Sequence, residues 1–348
     1  MHFSVGSIRI HRRIEVEPFQ AGSLMTSRFT TLRASLPQAF TTFWQKGSRR
    51  LLRLGLRLRG RSEAERIRAE RRLRGYQHYR RLRLADAVVV SFGKSGRTWL
   101  RVMVSRLYQQ LYDLPDNSLI GFDNFHNMDR RVPRIFFTHD NYIGDYTGHT
   151  DSKVDFYDKK VVLLVRDPRD VAVSQFFQWQ HRMRPEKKAL NQYPAHGEEC
   201  SVYEFVRHEG GGLPKVVEFM NLWAREKEKV REFCLIRYED MRADPHETLT
   251  RLARFLEIPA TPEQIQDAVD YASYENMKKM ESAQSFRMSG GRMVPRDRNN
   301  PDSYKVRRGK VGGYRDYFED EQIREIDALM EGTLDPMFGY GAGKDPAA

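Results

Sequence analysis

The stretch VVVSFGKSGRTWLRVMV, residues 88–104, constrains the fold more than any other part of this chain. The run 87–92 is short, Val-rich and almost continuously apolar, which is typical of a strand buried on both faces of a parallel sheet. From Thr98 onward the apolar residues recur at helical spacing, and this pattern stops before Pro115. The segment therefore predicts a strand, a tight loop and a helix.

The loop itself, Gly93-Lys94-Ser95-Gly96, predicts an anion site. Backbone amides in such a loop, with the positive end of the helix dipole behind them, favour an oxyanion, and Lys94 adds a full charge. For this motif alone, an ordinary turn with a surface lysine is the alternative. The Walker A spacing is absent because Lys94 precedes Ser95-Gly96, and a generic nucleoside triphosphatase is therefore disfavoured.

A second candidate is VVLLVRDPRDVAVSQFFQW, residues 161–179. Its first five residues predict another buried strand, and Asp167 suits the N-cap of a helix that follows. Arg166 then lies at the carboxyl end of a strand, where open α/β sheets bind ligands, and Ser174 projects from the helix. Together they could hold a phosphate, unless Arg166 only pairs with a neighbouring aspartate at the surface.

The third candidate, KVRRGKVGGYRDYF, covers residues 305–318. It groups cations around a glycine: Lys305, Arg307, Arg308, Gly309 and Lys310. Such a run suits a phosphate, although in isolation it is equally typical of a solvated basic loop. Three anion candidates in one domain indicate a ligand with phosphates at more than one place.

These stretches resemble the nucleotide-binding segments of the sulfotransferases that use 3′-phosphoadenosine 5′-phosphosulfate (PAPS), in particular the cytosolic, aryl-type branch and its bacterial relatives. GKSGRTWL resembles the family's P-K-S-G-T-T-W-L, RDPRDVAVS its R-[DN]-P-[KR]-D-V-A-V-S, and RRGKVGGYRDYF its R-K-G-x-x-G-D-W-K-x-x-F. LIRYEDM (235–241) and YASYENMKKM (271–280) fit two further segments. The resemblance implies an α/β, P-loop-like, three-layer domain with a central parallel sheet flanked by helices.

The resemblance also implies PAPS as co-substrate, without a metal, and assigns residues to it. At the 5′-phosphosulfate it places Lys94, Ser95, Gly96, Arg97 and Thr98, with Lys94 also stabilising charge on the departing phosphate oxygen. At the 3′-phosphate it places Arg166, Ser174, Arg307, Arg308 and Gly309. Around the adenine it places Trp99, Tyr238, Ser273 and Tyr274. Plain core packing is the alternative for these aromatic residues.

Sulfuryl transfer to a hydroxyl requires in-line positioning, cationic stabilisation and a base. The family's base is a histidine in a K-[ST]-H segment, and PRIFFTHDNY places His139 at that position, after a predicted strand; a structural histidine is the alternative. Two departures from the family concern charge. Phe137 stands where a lysine is usual and Arg97 where a threonine is usual, so we hypothesise that Arg97 supplies the lost charge.

The domain organisation follows from where these motifs lie. The 348 residues divide into a basic extension over 1–84, partly helical or disordered, a sulfotransferase domain over 85–342 and a tail over 343–348. The domain contains four predicted strands, near 87–92, 134–138, 161–165 and 233–237, separated by helical patterns that favour right-handed crossovers.

The net charge of +12 is unevenly distributed. Residues 1–84 hold 20 Lys+Arg against 5 Asp+Glu, whereas the remainder holds 39 against 42. Within 47–84 arginine alternates with leucine, which suits a basic helix on an anionic membrane surface. A solvated arm and a helix packed on the domain are alternatives. No stacking platform or recognised motif accompanies the charge, so no nucleic-acid partner is predicted.

The chain shows no apolar run of the roughly 18 residues that span a bilayer and no signal-peptide core. Met25 is an alternative start. Cys200 and Cys234, the second in a predicted buried strand, give no disulfide framework. A cytoplasmic, membrane-peripheral location is expected, and the oligomeric state is left open.

The sequence thus predicts PAPS-dependent sulfuryl transfer to a hydroxyl, with an amine less favoured; it does not identify the acceptor, for which a lipid or glycan is favoured over a freely diffusing phenol. A P-loop nucleotide kinase and a catalytically impaired binding protein are the alternatives. Two polar regions are expected to border the acceptor: residues 282–303, as a lid or a linker, and residues 181–212, as loops.

Overall fold

The computed structural model describes residues 47–286 and 293–341. At the centre of the fold is a four-stranded sheet, all parallel, in the order β2-β1-β3-β4. The strands are β1 Ala87–Ser91, β2 Ile135–Thr138, β3 Lys160–Val165 and β4 Glu232–Arg237. Each predicted strand is present within one residue of its expected position. Ala87 of β1 lies opposite Ile135 of β2 on one side and Lys160 of β3 on the other.

Helices cover both faces of this sheet. They are α1 (residues 47–58), α2 Glu63–Leu84, α3 Arg97–Tyr112, α4 Asn124–Met128, α5 Ile143–Thr147, α6 Pro168–His181, α7 Pro185–Leu190, α8 Val202–Arg207, α9 Leu213–Glu226, α10 Tyr238–Ala243, α11 Pro245–Phe255, α12 Pro262–Tyr271, α13 Tyr274–Ser282 and α14 Asp320–Met330. Short 3₁₀ turns lie at Val154–Phe156, Lys227–Lys229, Pro301–Ser303, Gly313–Tyr317 and Pro336–Phe338.

Two apolar cores sandwich the sheet because successive strand residues face opposite ways. Val89 packs with side chains of α3, α11 and α12, whereas Val88 and Val90 pack with those of α6 and α9. All five residues of β1 are buried. This arrangement confirms the predicted three-layer α/β fold with a central parallel sheet.

The carboxyl ends of the four strands meet at one edge of the sheet, as they must in a parallel arrangement. The loop with Lys94 follows β1, His139 follows β2, Arg166 follows β3 and Tyr238 follows β4. The helix after β3 begins where the sequence predicts, because the side chain of Asp167 accepts a hydrogen bond from the amide of Arg169. Four chemically distinct segments therefore converge at this edge.

The part of the basic extension that the structure describes packs against the domain. Gly75 of α2 lies so close to α5 that a β-carbon there would approach the carbonyl oxygen of Tyr142 to 2.2 Å. Arg71 pairs with Asp145 at 2.7 Å and donates to the carbonyl oxygen of Leu190 at 2.5 Å. Of the alternatives for the basic extension, a membrane-bound helix, a solvated arm and a helix packed on the domain, α2 is therefore the packed helix. Residues 1–46, including Met25, lie outside the described residues.

Two expectations about local structure are wrong. Residues 181–212 are not simply loops, because α7 and α8 lie within them, and α8 is fixed by a capping box between Ser201 and Glu204. The strand that carries Cys234 is not fully buried, because β4 lies at the edge of the sheet and only Ile236 in it is buried. Both segments were misjudged because tertiary neighbours set burial and short helices carry little periodicity.

The predicted lid or linker, residues 282–303, falls partly outside the described residues, which resume at 293. On either side of that gap, Phe286 and Met293 are buried in the core on the α3 side of the sheet. The segment is therefore anchored at both ends. Among the described residues, no helix is both long and apolar enough to cross a membrane.

Candidate active site

The loop between β1 and α3 is shaped by two left-handed backbone conformations. Lys94 has φ of 74° and Gly96 has φ of 90°. A β-carbon on Gly96 would lie 2.6 Å from the ring of Tyr238, so only glycine fits there. The backbone of Lys94 has a left-handed conformation that residues other than glycine rarely adopt. Such backbone strain is common at functional sites. The loop built in this way places Gly93, Lys94 and Gly96 along the cavity at the strand ends.

The ammonium group of Lys94 lies in a strongly cationic environment. The pKa of this group is lowered to about 7. Burial is the largest cause, and the charges of Arg182, Arg166 and Arg307 also lower it. The carboxylate of Glu281 acts in the opposite direction. A group of cations held this close together favours a bound anion that would offset their mutual repulsion.

Arg166 is oriented by contacts on several sides. Its Nη2 donates to Asp170 Oδ2 at 3.0 Å and to the carbonyl oxygen of Lys310 at 2.8 Å, and its Nη1 lies 3.5 Å from Ser174 Oγ. Its guanidinium lies 4.4 Å from the ring centre of Tyr238. The buried Nε has no partner within the described parts of the chain. Arg166 thus keeps a donor available at the edge of the cavity.

Asp170 attaches the basic loop, residues 305–313, to α6. It accepts hydrogen bonds from the amides of Gly312 at 3.0 Å and Tyr314 at 2.9 Å, besides the ion pair with Arg166. Sequence analysis treated this carboxylate only as a competitor for Arg166. Its position in the first turn of α6, four residues after Arg166 at the end of β3, was the signal for its organising role.

The cations of the basic loop are held by aromatic and acidic neighbours. The guanidinium of Arg307 lies 3.8 Å from the ring centre of Phe177 and donates to the hydroxyl of Tyr317. Arg308 and Lys310 both pair with Asp316, and all three side chains are partly exposed to solvent. Pairs this exposed are weak, so an incoming phosphate could displace the Asp316 contacts at small free-energy cost.

A buried ion pair between Arg182 and Glu281 supports the start of the same loop. Glu281 is fully buried and accepts hydrogen bonds from the amides of Lys305 and Val306 at 2.8 to 3.0 Å. Arg182 lies 3.5 Å from Glu281 and also donates to the carbonyl oxygens of Ser303 and Val294. Sequence analysis missed both residues, because a lone glutamate on a helix carries no recognisable signal.

The predicted aromatic residues lie together beside the loop after β1. The rings of Trp99 and Tyr238 are edge to face with centres 5.9 Å apart, and the Nε1 of Trp99 is buried without a partner among the described residues. The hydroxyl of Tyr274 donates to the carbonyl oxygen of Arg307 at 3.0 Å. Ser273 instead caps α13, its Oγ accepting from the amide of Asn276.

His139 is held in one tautomer by two contacts. Its Nδ1 lies 2.7 Å from the carbonyl oxygen of Ser91, which can only accept, so Nδ1 carries the hydrogen. Its Nε2 lies 2.6 Å from Nη2 of Arg97, which can only donate. Burial, followed by the charge of Arg97, holds the pKa of His139 well below 6.5. The imidazole is therefore neutral, with its lone pair at Nε2.

Phe137 and Arg97, the two departures from the family pattern, have separate environments. The ring of Phe137 lies 3.9 Å from the guanidinium carbon of Arg101 and packs into the apolar core on that face. Arg97 points to His139. The structure thus places a guanidinium beside the candidate base, where the family pattern has a threonine.

A cavity of about 350 Å³ joins these parts. Thirteen of the fifteen predicted site residues line it, namely Lys94, Gly96, Arg97, Thr98, Trp99, His139, Arg166, Ser174, Tyr238, Tyr274, Arg307, Arg308 and Gly309. Ser95 and Ser273 do not: Ser95 is buried behind the loop. Lining residues that the sequence did not indicate include Asn141, Gln175, Lys187, Asn191 and Tyr193.

The cavity has two ends because β2 and β4 lie at opposite edges of the sheet, with the Lys94 loop between them. The Arg166 end comprises Arg166, Tyr238, Arg307 and Gly309; the His139 end comprises His139, Gln175, Lys187, Asn191 and Tyr193. Within residues 47–286 and 293–341, no group of three or more His, Cys, Asp or Glu side chains could hold a metal ion.

Comparisons with known proteins agree with these features. Residues 84–338 match the family model described as sulfotransferase domain. Cytosolic sulfotransferase 13 of Arabidopsis thaliana is 28% identical over 74% of this chain and 79% of its own, and 3-beta-hydroxysteroid sulfotransferase of Cavia porcellus is 25% identical over 73% and 84%. A mouse sulfotransferase complexed with PAP superposes with a TM-score of 0.46 at 22% identity, covering 72% of this chain and 84% of its own.

Proposed function

Because this chain belongs to the sulfotransferase family, we propose that it transfers the sulfuryl group of PAPS to a hydroxyl of an acceptor by in-line displacement. The observation that carries the proposal is the separation of the cations between two segments. Lys94 follows β1, whereas Arg166 and Arg307 lie on the β3 and β4 side of the same cavity. A ligand with phosphates at two places, as in PAPS, can engage both.

The cavity fits such a nucleotide. PAPS supplies the sulfuryl group and its phosphate leaving group. Lys94 and the amides and hydroxyls of Ser95, Gly96, Arg97 and Thr98 would hold the 5′-phosphosulfate. Arg166, Ser174, Arg307, Arg308 and Gly309 would hold the 3′-phosphate, and the unpartnered Nε of Arg166 supports this. Trp99, Tyr238 and Tyr274 would surround the adenine, with Ser273 capping the helix that carries Tyr274, and the buried Nε1 of Trp99 offers the adenine a donor.

His139 is the proposed base. Its hydrogen at Nδ1 is held by the carbonyl oxygen of Ser91, so Nε2 carries the lone pair that would take the acceptor's hydroxyl proton, once the acceptor has displaced the Arg97 hydrogen bond to that atom. A pKa well below 6.5 keeps the imidazole unprotonated at neutral pH. Arg97, whose Nη2 lies 2.6 Å from Nε2, would then face the acceptor oxygen and stabilise the negative charge that builds up on it as its proton leaves. This position supports the hypothesis that Arg97 replaces the cation missing at Phe137.

Two alternatives to a sulfotransferase are tested in different ways: the sequence of the loop after β1 tests a kinase, and turnover tests a catalytically impaired binding protein. A P-loop nucleotide kinase needs the Walker A spacing, and GKSGRT lacks it. A catalytically impaired binding protein would bind the nucleotide but would not transfer the sulfuryl group to any acceptor. The retained Lys94, Arg166 and His139 favour an enzyme.

For the location of the protein, we propose a peripheral position on the cytoplasmic face of an anionic membrane, through α1, with a lipid or glycan as acceptor. Leu51, Leu54 and Leu58 recur on one face of α1 and are 70%, 55% and 80% exposed. The opposite face is tied to α2, where Arg53 pairs with Glu70 at 2.6 Å. Apolar side chains flanked by exposed arginines suit anionic lipid.

Cosedimentation with vesicles tests the membrane proposal. We expect binding to vesicles that contain phosphatidylserine and not to pure phosphatidylcholine, and loss of binding when Leu51, Leu54 and Leu58 are all changed to Ser. Leu84→Ser, an exposed leucine on α2 (59%), is the matched control. Equal binding by the triple variant would refute it.

Calorimetric titration tests the function. The protein is titrated with 3′,5′-adenosine bisphosphate, 5′-AMP and ATP, and the series is repeated on Arg166→Ala. We expect selective binding of the bisphosphate, weakened about thirtyfold by Arg166→Ala, which corresponds to about 2 kcal/mol for a charged hydrogen bond. No preference for the 3′-phosphate would refute the assignment of PAPS.

A further inference from the structure

We propose that the acceptor carries an acidic group besides its reacting hydroxyl, and that Lys187 at the His139 end of the cavity binds that group. This inference rests on the proposed sulfuryl transfer and adds the chemical class of the acceptor. It concerns a residue outside the nucleotide motifs.

The His139 end is polar where it faces the cavity. Its lining side chains, apart from His139, are Gln175, Lys187, Asn191 and Tyr193, and Asn141 lies beside them. They come from three separate elements, which hydrogen bonds connect: the hydroxyl of Tyr142 donates to Asn191 Oδ1 at 2.7 Å, and the amide of Gln175 donates to the hydroxyl of Tyr193. A purely apolar acceptor would leave the ammonium group of Lys187 and the unpartnered Oε1 of Gln175 without polar partners where it covers them, which is unfavourable.

Lys187 lines the cavity, is exposed to solvent and forms no ion pair with another described residue. Its pKa is lowered, first by the surrounding protein and then by the charges of Arg74 and Arg97, and no carboxylate acts on it. Lys153, by contrast, which immediately precedes the 3₁₀ turn Val154–Phe156, lies 2.7 Å from the carboxylate of Asp140. Both lysines lie near the end of β2, yet only Lys187 faces the cavity without an internal counter-ion.

The position of Lys187 places its charge close to the base. It contributes to the electrostatic potential at His139, and Arg97 contributes to the potential at Lys187. One small acceptor could therefore place an acidic group at Lys187 and its reacting hydroxyl at His139. Carboxylate, phosphate and sulfate share this chemistry.

Gln175 indicates that the acceptor also carries a further hydroxyl or another donor. Gln175 is 5% exposed, and its Oε1 has no hydrogen-bond partner within the described parts of the chain. The same amide group abuts Gly93, where a β-carbon would lie 3.0 Å from Oε1. A donor on the acceptor would satisfy this oxygen beside the loop that holds Lys94. The favoured class is therefore a hydroxylated acid, such as an acidic sugar or a hydroxylated aromatic acid.

Matched pairs of probe acceptors test the inference. One pair is 4-hydroxybenzoate and its methyl ester; the other is methyl β-glucuronide and methyl β-glucoside. Dissociation constants are measured by ligand-observed NMR on the protein saturated with 3′,5′-adenosine bisphosphate, and sulfate transfer from labelled PAPS is followed in parallel. The variants are Lys187→Gln and Lys187→Glu, with Lys278→Gln, an exposed lysine on α13, as the matched control.

We expect the acid of each pair to bind about tenfold more tightly than its neutral partner in the unaltered protein and in Lys278→Gln. Lys187→Gln should abolish this preference and Lys187→Glu should reverse it, while the affinity for the bisphosphate stays within twofold. A pair preference that Lys187→Gln leaves intact, or no preference at all, would overturn the inference. Lys187→Gln could instead lower turnover equally for the acid and the neutral compound of a pair, without changing the affinity for either. This result would also overturn the inference, because Lys187 would then act on the transferred group. Failure of the unaltered protein to bind the bisphosphate would instead refute the proposed function.

Discussion

The two ends of the cavity are built in different ways. At the Arg166 end, side chains follow strand ends in short contiguous motifs, and buried acids such as Asp170 hold them in place. At the His139 end, the lining residues come from α6, from α7 and the segment after it, and α2 supports them from behind. The difference indicates that the proposed nucleotide site is built from short motifs, which long-range contacts such as Asp170 to Gly312 join, whereas Lys187, Asn191 and Tyr193 of the proposed acceptor site belong to no such motif.

The largest effects are expected for Lys94 and Arg97, which lie between the two ends of the cavity. Lys94→Ala should lower kcat/KM about a thousandfold, because one preorganised donor at developing charge contributes that much. Arg97→Ala should lower it about a hundredfold if Arg97 supplies the charge missing at Phe137. Steady-state kinetics with saturating PAPS measure both. Intact turnover in Arg97→Ala beside an inactive Lys94→Ala would refute the compensation.

Asp170→Ala should affect the Arg166 end alone. Removing a buried carboxylate that pairs with Arg166 and accepts two amide hydrogen bonds should lower the free energy of unfolding by about 3 kcal/mol. Affinity for the bisphosphate should fall at least tenfold. Chemical denaturation and calorimetry measure these effects. Asp316→Asn, which removes an exposed carboxylate from Arg308 and Lys310, is the control and should change stability by less than about 1 kcal/mol.

Gly75→Ala should affect the His139 end alone. The new methyl group would meet the carbonyl oxygen of Tyr142, so α2 must move away from α5, at a cost of about 1 to 3 kcal/mol in the free energy of unfolding. We expect a higher KM for the acceptor with unchanged affinity for the bisphosphate. In α1, Gly55→Ala has open space and should be neutral or slightly stabilising. A loss of nucleotide affinity in Gly75→Ala would contradict the separation of the two ends.

The smallest expected effect is a change in protonation. With a pKa of about 7, Lys94 is mostly neutral at pH 8 in the free protein, and a bound anion favours its charged form. Binding of the bisphosphate at pH 8 should therefore take up as much as about one proton, and affinity should fall as pH rises above 7. Calorimetry in two buffers of different ionisation enthalpy measures the uptake. Lys94→Met should abolish it; an unchanged uptake would assign the proton elsewhere.

The sequence predicts the Arg166 end of the cavity better than the His139 end. The family, the parallel sheet and the convergence of Lys94, Arg166 and His139 could be predicted, because strand ends and glycine-containing loops leave local patterns. The family prediction is confirmed. The roles of Glu281 and Gln175 could not be predicted, since each depends on partners far away along the chain. The roles assigned to the individual site residues stay predictions until the variants are measured.

The docking of α2 has a consequence for how acceptor preference can diversify. The matched family region begins at residue 84, where this helix ends, yet Arg71 of α2 bonds the backbone at Asn141 and Leu190, next to the cavity wall. If the His139 end binds the acceptor as proposed, mutations in this segment are expected to change acceptor preference more than affinity for the nucleotide. For engineering, α2 is an adjustable part: libraries confined to its inner face would explore new acceptors without disturbing the cofactor machinery.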